Sequence, residues 1–375
     1  MRFPEFKEGW EVKKLGEIST NKSKKYNPNN ETNFIKCIEL EHLSSETGQL
    51  LGFVDGSQSG SIKNVFQKGD VLFGKLRPYL KKYYQPNFDG VCSSEIWVLN
   101  GKEILNDFLY YLIQTNSFVD LANQSSGSKM PRADWSILEN GLFSFPNSEE
   151  QQKIASFLSL IDERIQTQNK IINDLKTLKT ATAKKIFSQE LRFKEDNGND
   201  FPEWEVREVG EVFKITRGNV LAMNLVSNQC NEKNTYPVYS SQTKNNGLAG
   251  YYTDFLFEDA ITWTTDGANA GDVNYRSGKF YCTNVCGVLI SNEGYANSCI
   301  AELINSVSKN YVSYVGNPKL MNGVMSEIKI PFPSLLEQIQ IANFLSAIDT
   351  KIDIEKQLLQ KLEEQKKYLL QQMFV

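Results

Sequence analysis

The strongest constraint on this chain is that it contains itself twice. Trp10-Glu11-Val12-Lys13-Lys14-Leu15-Gly16-Glu17-Ile18 returns 194 positions later as Trp204-Glu205-Val206-Arg207-Glu208-Val209-Gly210-Glu211-Val212, and each copy follows a Phe-Pro-Glu, at Phe3 to Glu5 and Phe201 to Glu203. Cys92-Ser93-Ser94-Glu95-Ile96-Trp97-Val98-Leu99 lines up with Cys282-Thr283-Asn284-Val285-Cys286-Gly287-Val288-Leu289 at an offset of 190. A third match, at an offset of 187, carries Phe145-Pro146, Glu150-Gln151, Ile154-Ala155, Phe157-Leu158-Ser159, Ile161-Asp162 and Ile165 into Phe332-Pro333, Glu337-Gln338, Ile341-Ala342, Phe344-Leu345-Ser346, Ile348-Asp349 and Ile352. Three ordered matches with a slowly drifting offset mean one unit of about 190 residues present twice.

Both copies share a grammar. Apolar and aromatic runs of four to eight residues, broken by Gly, Asn, Asp and Pro, predict a β-rich globular part, and a long helix follows. Asn147 or Ser148, with Glu150 or Gln151 three residues on, reads as a capping box, and Ser334 with Glu337 repeats it. Inside the first helix Ile154, Leu158, Ile161, Ile165, Gln168, Ile172, Leu175, Lys179, Thr182 and Ile186 step alternately by four and three. Ile341, Leu345, Ile348, Ile352, Glu355, Leu359, Leu362, Lys366, Leu369 and Met373 do the same in the second. This is a heptad seam. A seam over roughly 39 residues, about 58 Å of helix, needs a partner, and the obvious partner is its twin.

The expected fold class is therefore α+β: two β-rich domains in an internal repeat, joined by two long helices that pair as an antiparallel coiled coil. The expected division is 1–147 for the first globular domain, 148–189 for the first helical spacer, 190–333 for a polar linker and the second domain, and 334–375 for the second spacer. An antiparallel pair of this kind would act as a ruler between the two globular parts.

Composition limits what such a chain can do. Hydrophobic residues are 40% and charged residues 23%, with 22 Phe and 16 Tyr, enough to build cores. The opening MRFPEFKEGW lacks an apolar stretch and no run is long enough to span a bilayer, so a cytoplasmic protein with no membrane partner is expected. Net charge is −4, mildly against nucleic acid, yet residues 63 to 85 hold Lys63, Lys68, Lys75, Arg77, Lys81 and Lys82 against Asp70 alone, so a local basic face is expected.

Catalytic machinery is not legible. The run Thr265-Asp266-Gly267-Ala268-Asn269-Ala270-Gly271 lacks the lysine and spacing of a phosphate loop, and no glycine-rich loop is paired with an Asn-Pro-Pro-aromatic tetrapeptide. Asp349-Thr350-Lys351 falls within the second helix and reads as a solvated face. The one histidine, His42, reads as structural, and six cysteines without a C-x-x-C pair leave no zinc site, so they are expected to be reduced and mostly buried. No metal, no bound cofactor and no enzyme activity are expected of this chain.

Val71-Leu72-Phe73-Gly74-Lys75-Leu76-Arg77-Pro78-Tyr79, Gly90-Val91-Cys92-Ser93-Ser94-Glu95, the two Phe-Pro-x-x-x-Glu-Gln motifs at 145 to 151 and 332 to 338, and the linker ending Asp200-Phe201-Pro202-Glu203-Trp204 resemble the specificity (S) subunits of type I restriction-modification systems. The resemblance spans nearly the whole chain. It implies two target-recognition domains on a bipartite, asymmetric double-stranded DNA site. It also implies two methyltransferase (M) subunits docked on the helices and two restriction (R) subunits, with S-adenosylmethionine, ATP and Mg bound by those partners. The second domain departs from the pattern, since Ile261 to Gly271 replaces the Gly-Lys-Leu-Arg-Pro-Tyr run and leaves Lys75 and Arg77 without a counterpart.

DNA reading needs polar side chains above a modest basic surface. The first domain offers Lys75, Arg77, Ser93, Ser94, Ser128, Lys129 and Arg132, the second Thr265, Asp266, Asn269, Lys279, Asn284 and Lys319. Helix pairing is assigned to Ile154, Leu158, Ile161, Ile165, Ile172, Leu175, Ile341, Leu345, Ile348, Ile352, Leu359 and Leu362. Two other functions fit the duplication: a free-standing pseudo-symmetric DNA-binding regulator, and a coiled-coil scaffold with no DNA role.

Overall fold

The computed structural model describes residues 1–30, 33–124, 130–241 and 244–374. The chain forms two compact units, one of Met1–Lys170 with Gln357–Val375 and one of Ile171–Lys356. Each long helix, Ser148–Phe187 and Leu335–Met373, is divided between the two. The globular parts are therefore not closed at residues 147 and 333; each builds its core on pieces of both helices.

In the first unit the strand Glu11–Lys14 pairs antiparallel with Leu142–Phe145. Val71–Gly74 lies beside Ile96–Gly101 in a four-stranded sheet, and Lys36–Ile38 runs parallel to Gly90–Cys92 in a five-stranded one. The second unit pairs Glu205–Glu208 with Lys329–Phe332 and gathers the corresponding strands into one six-stranded sheet. There Phe257–Thr264 lies antiparallel to Cys286–Ile290, and Tyr236–Tyr239 runs parallel to Val273–Cys282.

Matching registers show how the repeat tolerates sequence change. Phe73 stands opposite Trp97 in the first unit, and Trp263 stands opposite Gly287 in the second, both at an offset of 190. The first pair stacks two rings with centroids 6.3 Å apart. In the second, all the bulk has moved onto one strand: a Cβ on Gly287 would lie 2.1 Å from the Trp263 ring. The second unit thus keeps one large ring at this level and gives up the other, with the glycine making room for the ring that remains.

The helix starts explain the Phe-Pro-x-x-x-Glu-Gln motif. Asn147 Oδ1 accepts from the Glu150 N–H at 3.0 Å, and Ser334 Oγ accepts from the Glu337 N–H at 3.4 Å. The expected return half of the capping box is absent because both carboxylates are used elsewhere. Glu150, fully buried, takes a two-pronged bond from Arg2 at 2.7 and 2.6 Å. Glu337, also fully buried, takes one from Arg192 at 3.3 and 3.0 Å and another from the Trp204 indole at 2.8 Å. The neighbouring glutamines donate to Pro146 O and Pro333 O, each at 2.8 Å, while their side-chain oxygens accept from the Leu105 N–H and the Asn297 amide. Glu-Gln thus ties each helix start to its globular part.

Seam positions lie inward. Ile154, Leu158 and Ile161 share the first unit's core with Leu369 and Met373, and Ile165 packs against it. Leu359 and Leu362 are half-buried in that unit. In the second, Ile341 and Leu345 share a core with Ile186, while Ile172 and Ile352 are buried and Leu175 and Ile348 half-buried. In each unit the beginning of one helix meets the end of the other, the antiparallel arrangement. Asp349 is exposed, as expected of a solvated face, and lies 2.8 Å from Lys179 Nζ, which also reaches Glu302 at 2.9 Å.

Candidate nucleic-acid interface

In the first unit three segments meet beyond the strand Val71–Gly74. The Lys75 N–H donates to Glu95 O at 2.9 Å, the Ala133 N–H to Lys75 O at 2.8 Å, and the Arg77 N–H to Pro131 O at 2.8 Å. Lys75, Arg77, Ser93, Ser94 and Arg132 are thereby brought together. Arg77 and Arg132 are exposed, Lys75 and Ser93 half-buried, and Ser94 exposed. Arg132 Nη2 lies 3.1 Å from Glu95 Oε1, while Glu95 Oε2 is buried and unpartnered among the described residues. Glu95 adjoins the two serines and was not singled out from sequence, where an acid beside a basic loop gives no distinguishing signal. Ser128 and Lys129 lie outside the described residues.

The second unit repeats this frame bond for bond. The Thr265 N–H donates to Val285 O at 3.1 Å, the Leu320 N–H to Thr265 O at 2.9 Å, and the Gly267 N–H to Pro318 O at 2.9 Å. Leu76 bridges Arg132 in one unit and Asp266 bridges Lys319 in the other. Lys75-Leu76-Arg77 therefore has a backbone counterpart after all, Thr265-Asp266-Gly267, although no side chain is shared. Both turns step through the left-handed region, at φ 53° for Arg77 and 95° for Gly267. Glycine takes that conformation without strain, whereas in the first unit an arginine is held there by the bond to Pro131.

The remaining candidates divide. Lys319 is exposed with its Nζ 4.0 Å from Asp266 Oδ1, Asn284 is exposed in the adjoining turn, and half-buried Asn269 closes the loop through its carbonyl to the Asp272 N–H. Thr265 is buried and its hydroxyl is engaged with Asp266 at 2.6 Å and Val285 O at 3.0 Å, so it braces the loop and is not presented. Lys279 falls outside the cluster: it sits on the strand Val273–Cys282 with its Nζ 4.7 Å from the Phe255 ring centre.

The run from 63 to 85 does not form a single basic face. Lys63 is 4% exposed and points inward to Glu39 Oε1 at 2.6 Å, and Lys82 donates to Leu40 O. Burial alone would raise the Glu39 carboxyl, but Lys63 outweighs it and holds it below the usual range. His42 accepts the Glu39 N–H on Nδ1 at 3.0 Å, a turn-closing role. Five cysteines are buried and Cys230 is exposed. Among the described residues no cluster of His, Cys, Asp and Glu could hold a metal, and no helix is long and apolar enough to cross a membrane.

A frame built twice with different exposed side chains is matched by a family model. The type I restriction modification DNA specificity domain matches residues 7–177 and again 202–364. The chain belongs to this family. As a specificity subunit it is similar to that of the MpnII type I restriction enzyme of Mycoplasma pneumoniae, 36% identical over 149 residues, 39% of this chain and 44% of that one. The EcoDI specificity subunit of Escherichia coli is 28% identical over 174 residues, 46% of this chain and 39% of that one. The crystal structure of the S subunit from M. genitalium shares the fold at TM-score 0.63 and 18% identity, covering 98% of this chain and 96% of that one. In this specificity subunit the two family matches each contain one copy of the three-segment frame.

Proposed function

We propose that this chain reads a bipartite, asymmetric DNA target, one half-site per unit, and catalyses nothing by itself. The observation that carries this reading is the duplicated backbone frame with non-identical side chains. Arg77 and Arg132 with Ser94 in one unit, and Lys319, Asp266 and Asn284 in the other, offer different donors and acceptors from the same scaffold. Identical scaffolds with different polar surfaces suit two half-sites of different sequence, because base edges are distinguished by donor and acceptor pattern while phosphates are not.

The long helices then dock two methyltransferase subunits, with two restriction subunits completing the assembly in the cytoplasm. S-adenosylmethionine, ATP and Mg belong to those partners. The test is co-expression with methyltransferase chains, followed by measurement of stoichiometry and mapping of methylated sites. A complex of two such chains per specificity chain that methylates one two-part sequence supports the reading. Tight sequence-specific binding by the chain alone points to a free-standing regulator, and a chain that binds partners but confers no DNA specificity points to a scaffold.

A further inference from the structure

The second unit holds a buried cation without an acid. Arg276 is 8% exposed, its guanidinium lies 3.8 Å over the Tyr239 ring, its Nε donates to Thr262 Oγ1 at 3.0 Å and its Nη2 to Asn246 O at 2.7 Å. No carboxylate lies within ion-pair distance of it among the described residues. A buried charge of this kind is costly unless something pairs with it. Arg276 lines a cavity of about 260 Å³ whose walls include Ser240, Thr264, Asn274 and Asp272, with exposed Asn246 at the edge.

The first unit shows what is missing. There Ser93 N–H donates to Ile38 O, and the next residue, Glu39, neutralises buried Lys63 at 2.6 Å. In the second unit the equivalent bond runs from the Thr283 N–H to Tyr239 O, and the next residue is Ser240, bonded to Thr283 through its hydroxyl at 3.1 Å. The position that carries a carboxylate in one repeat carries a short hydroxyl in the other, and there Ser240 and Arg276 line the same cavity. It adjoins the reading loop, since Thr264 directly precedes Thr265-Asp266-Gly267.

We infer that Arg276 is a specificity-determining residue of the second unit, offering its unused N–H donors to the acceptor edge of a guanine in the target. This rests on the DNA-reading function proposed above. Stacking on Tyr239 fixes the plane of the guanidinium, which suits the two-pronged bond of arginine to guanine O6 and N7. The other polar groups of the wall, Ser240, Thr264 and Asn274, are neutral and Asp272 is already paired with Lys309 at 2.9 Å, so the cavity offers one planar donor set among neutral hydrogen-bonding groups, which suits a base edge.

The experiment compares complexes of methyltransferase subunits with the wild-type chain, with Arg276→Lys and with Arg276→Gln, by mapping methylated sites and by DNA binding at several salt concentrations. Thermal melting checks folding. Arg276→Lys retains the charge without the planar fork and decides the matter if Arg276→Gln does not fold. The expected result is loss of discrimination at one guanine of the second half-site, on the order of ten- to a hundredfold, with the first half-site unchanged. Uniform weakening with a salt slope reduced by about one marks a phosphate contact and overturns the inference. A wild-type complex that recognises its two-part site while both variants read the same bases overturns this inference alone; a wild-type complex that confers no specificity overturns the function itself.

Discussion

Lys366 Nζ lies 2.7 Å from Asp162 Oδ1, and the repeat makes the same bond between Lys179 and Asp349 at 2.8 Å. Lysines in heptad seams look like interruptions, yet each has its acid on the facing helix, and Asp162 also accepts the Tyr111 hydroxyl at 2.9 Å. A polar pair inside an apolar seam penalises other registers, because a slip buries a charge without its partner. In a double-mutant cycle, Lys366→Met and Asp162→Asn should show a coupling of about 1–2 kcal/mol, above the range of exposed pairs. Additive effects would assign the pair no role.

The sister lysine gives a pH test. Burial opposes the charge on Lys179, but Asp349 and Glu302 outweigh it and hold the ammonium above its ordinary value of 10.5. A folded-state value raised above the unfolded one stabilises fully below the latter and is lost as pH rises through the former. The stability difference between wild type and Lys179→Met should be constant near neutral pH and shrink above about pH 10.5. A difference independent of alkaline pH contradicts the assignment.

Arg192→Met leaves the fully buried Glu337 carboxylate with the Trp204 indole as its one remaining hydrogen-bond donor among the described residues. Removing one partner of such a pair should destabilise by about 3 kcal/mol. Arg2→Met should act in the same direction through Glu150 but more weakly, because Arg2 is exposed to water. Denaturation midpoints within a few tenths of wild type would show these forks to be ornamental.

Arg132→Ala and Lys319→Ala remove the cations that occupy equivalent places in the two frames. Each should weaken DNA binding by the assembled complex, as should Lys75→Ala and Arg77→Ala in the first unit. Loss of a base contact relaxes one half-site only, by about 1–3 kcal/mol, whereas loss of a phosphate contact lowers affinity for all sequences and reduces the salt slope by about one. Unchanged affinity, slope and half-site preference in all four variants would remove these loops from the interface.

Gly287→Ala should destabilise the second unit by about 1–3 kcal/mol through overpacking, since the added methyl meets the buried Trp263 ring. Trp97→Gly, at the equivalent position of the first unit, should destabilise by leaving a cavity. A neutral Gly287→Ala in thermal melting would show that the ring can move aside.

The repeat, the two long helices and their antiparallel pairing were legible in sequence because heptad spacing and self-similarity are local patterns that survive without knowledge of contacts. Which seam positions are inward followed from the same periodicity. The partners of Glu150, Glu337, Lys179 and Lys366 were not legible, because each lies far away in the chain or on the facing helix and only folding sets which charges meet. The loop Thr265-Asp266-Gly267 looked unrelated to Lys75-Leu76-Arg77 because the repeat preserves backbone hydrogen bonds there and not side chains. Arg276 gave no signal in sequence, where an arginine in a strand is ordinary. Its buried position over Tyr239, with Ser240 standing where the other unit has a carboxylate, exists only once the strands are paired, since burial and the absence of a counter-charge are properties of three-dimensional neighbours.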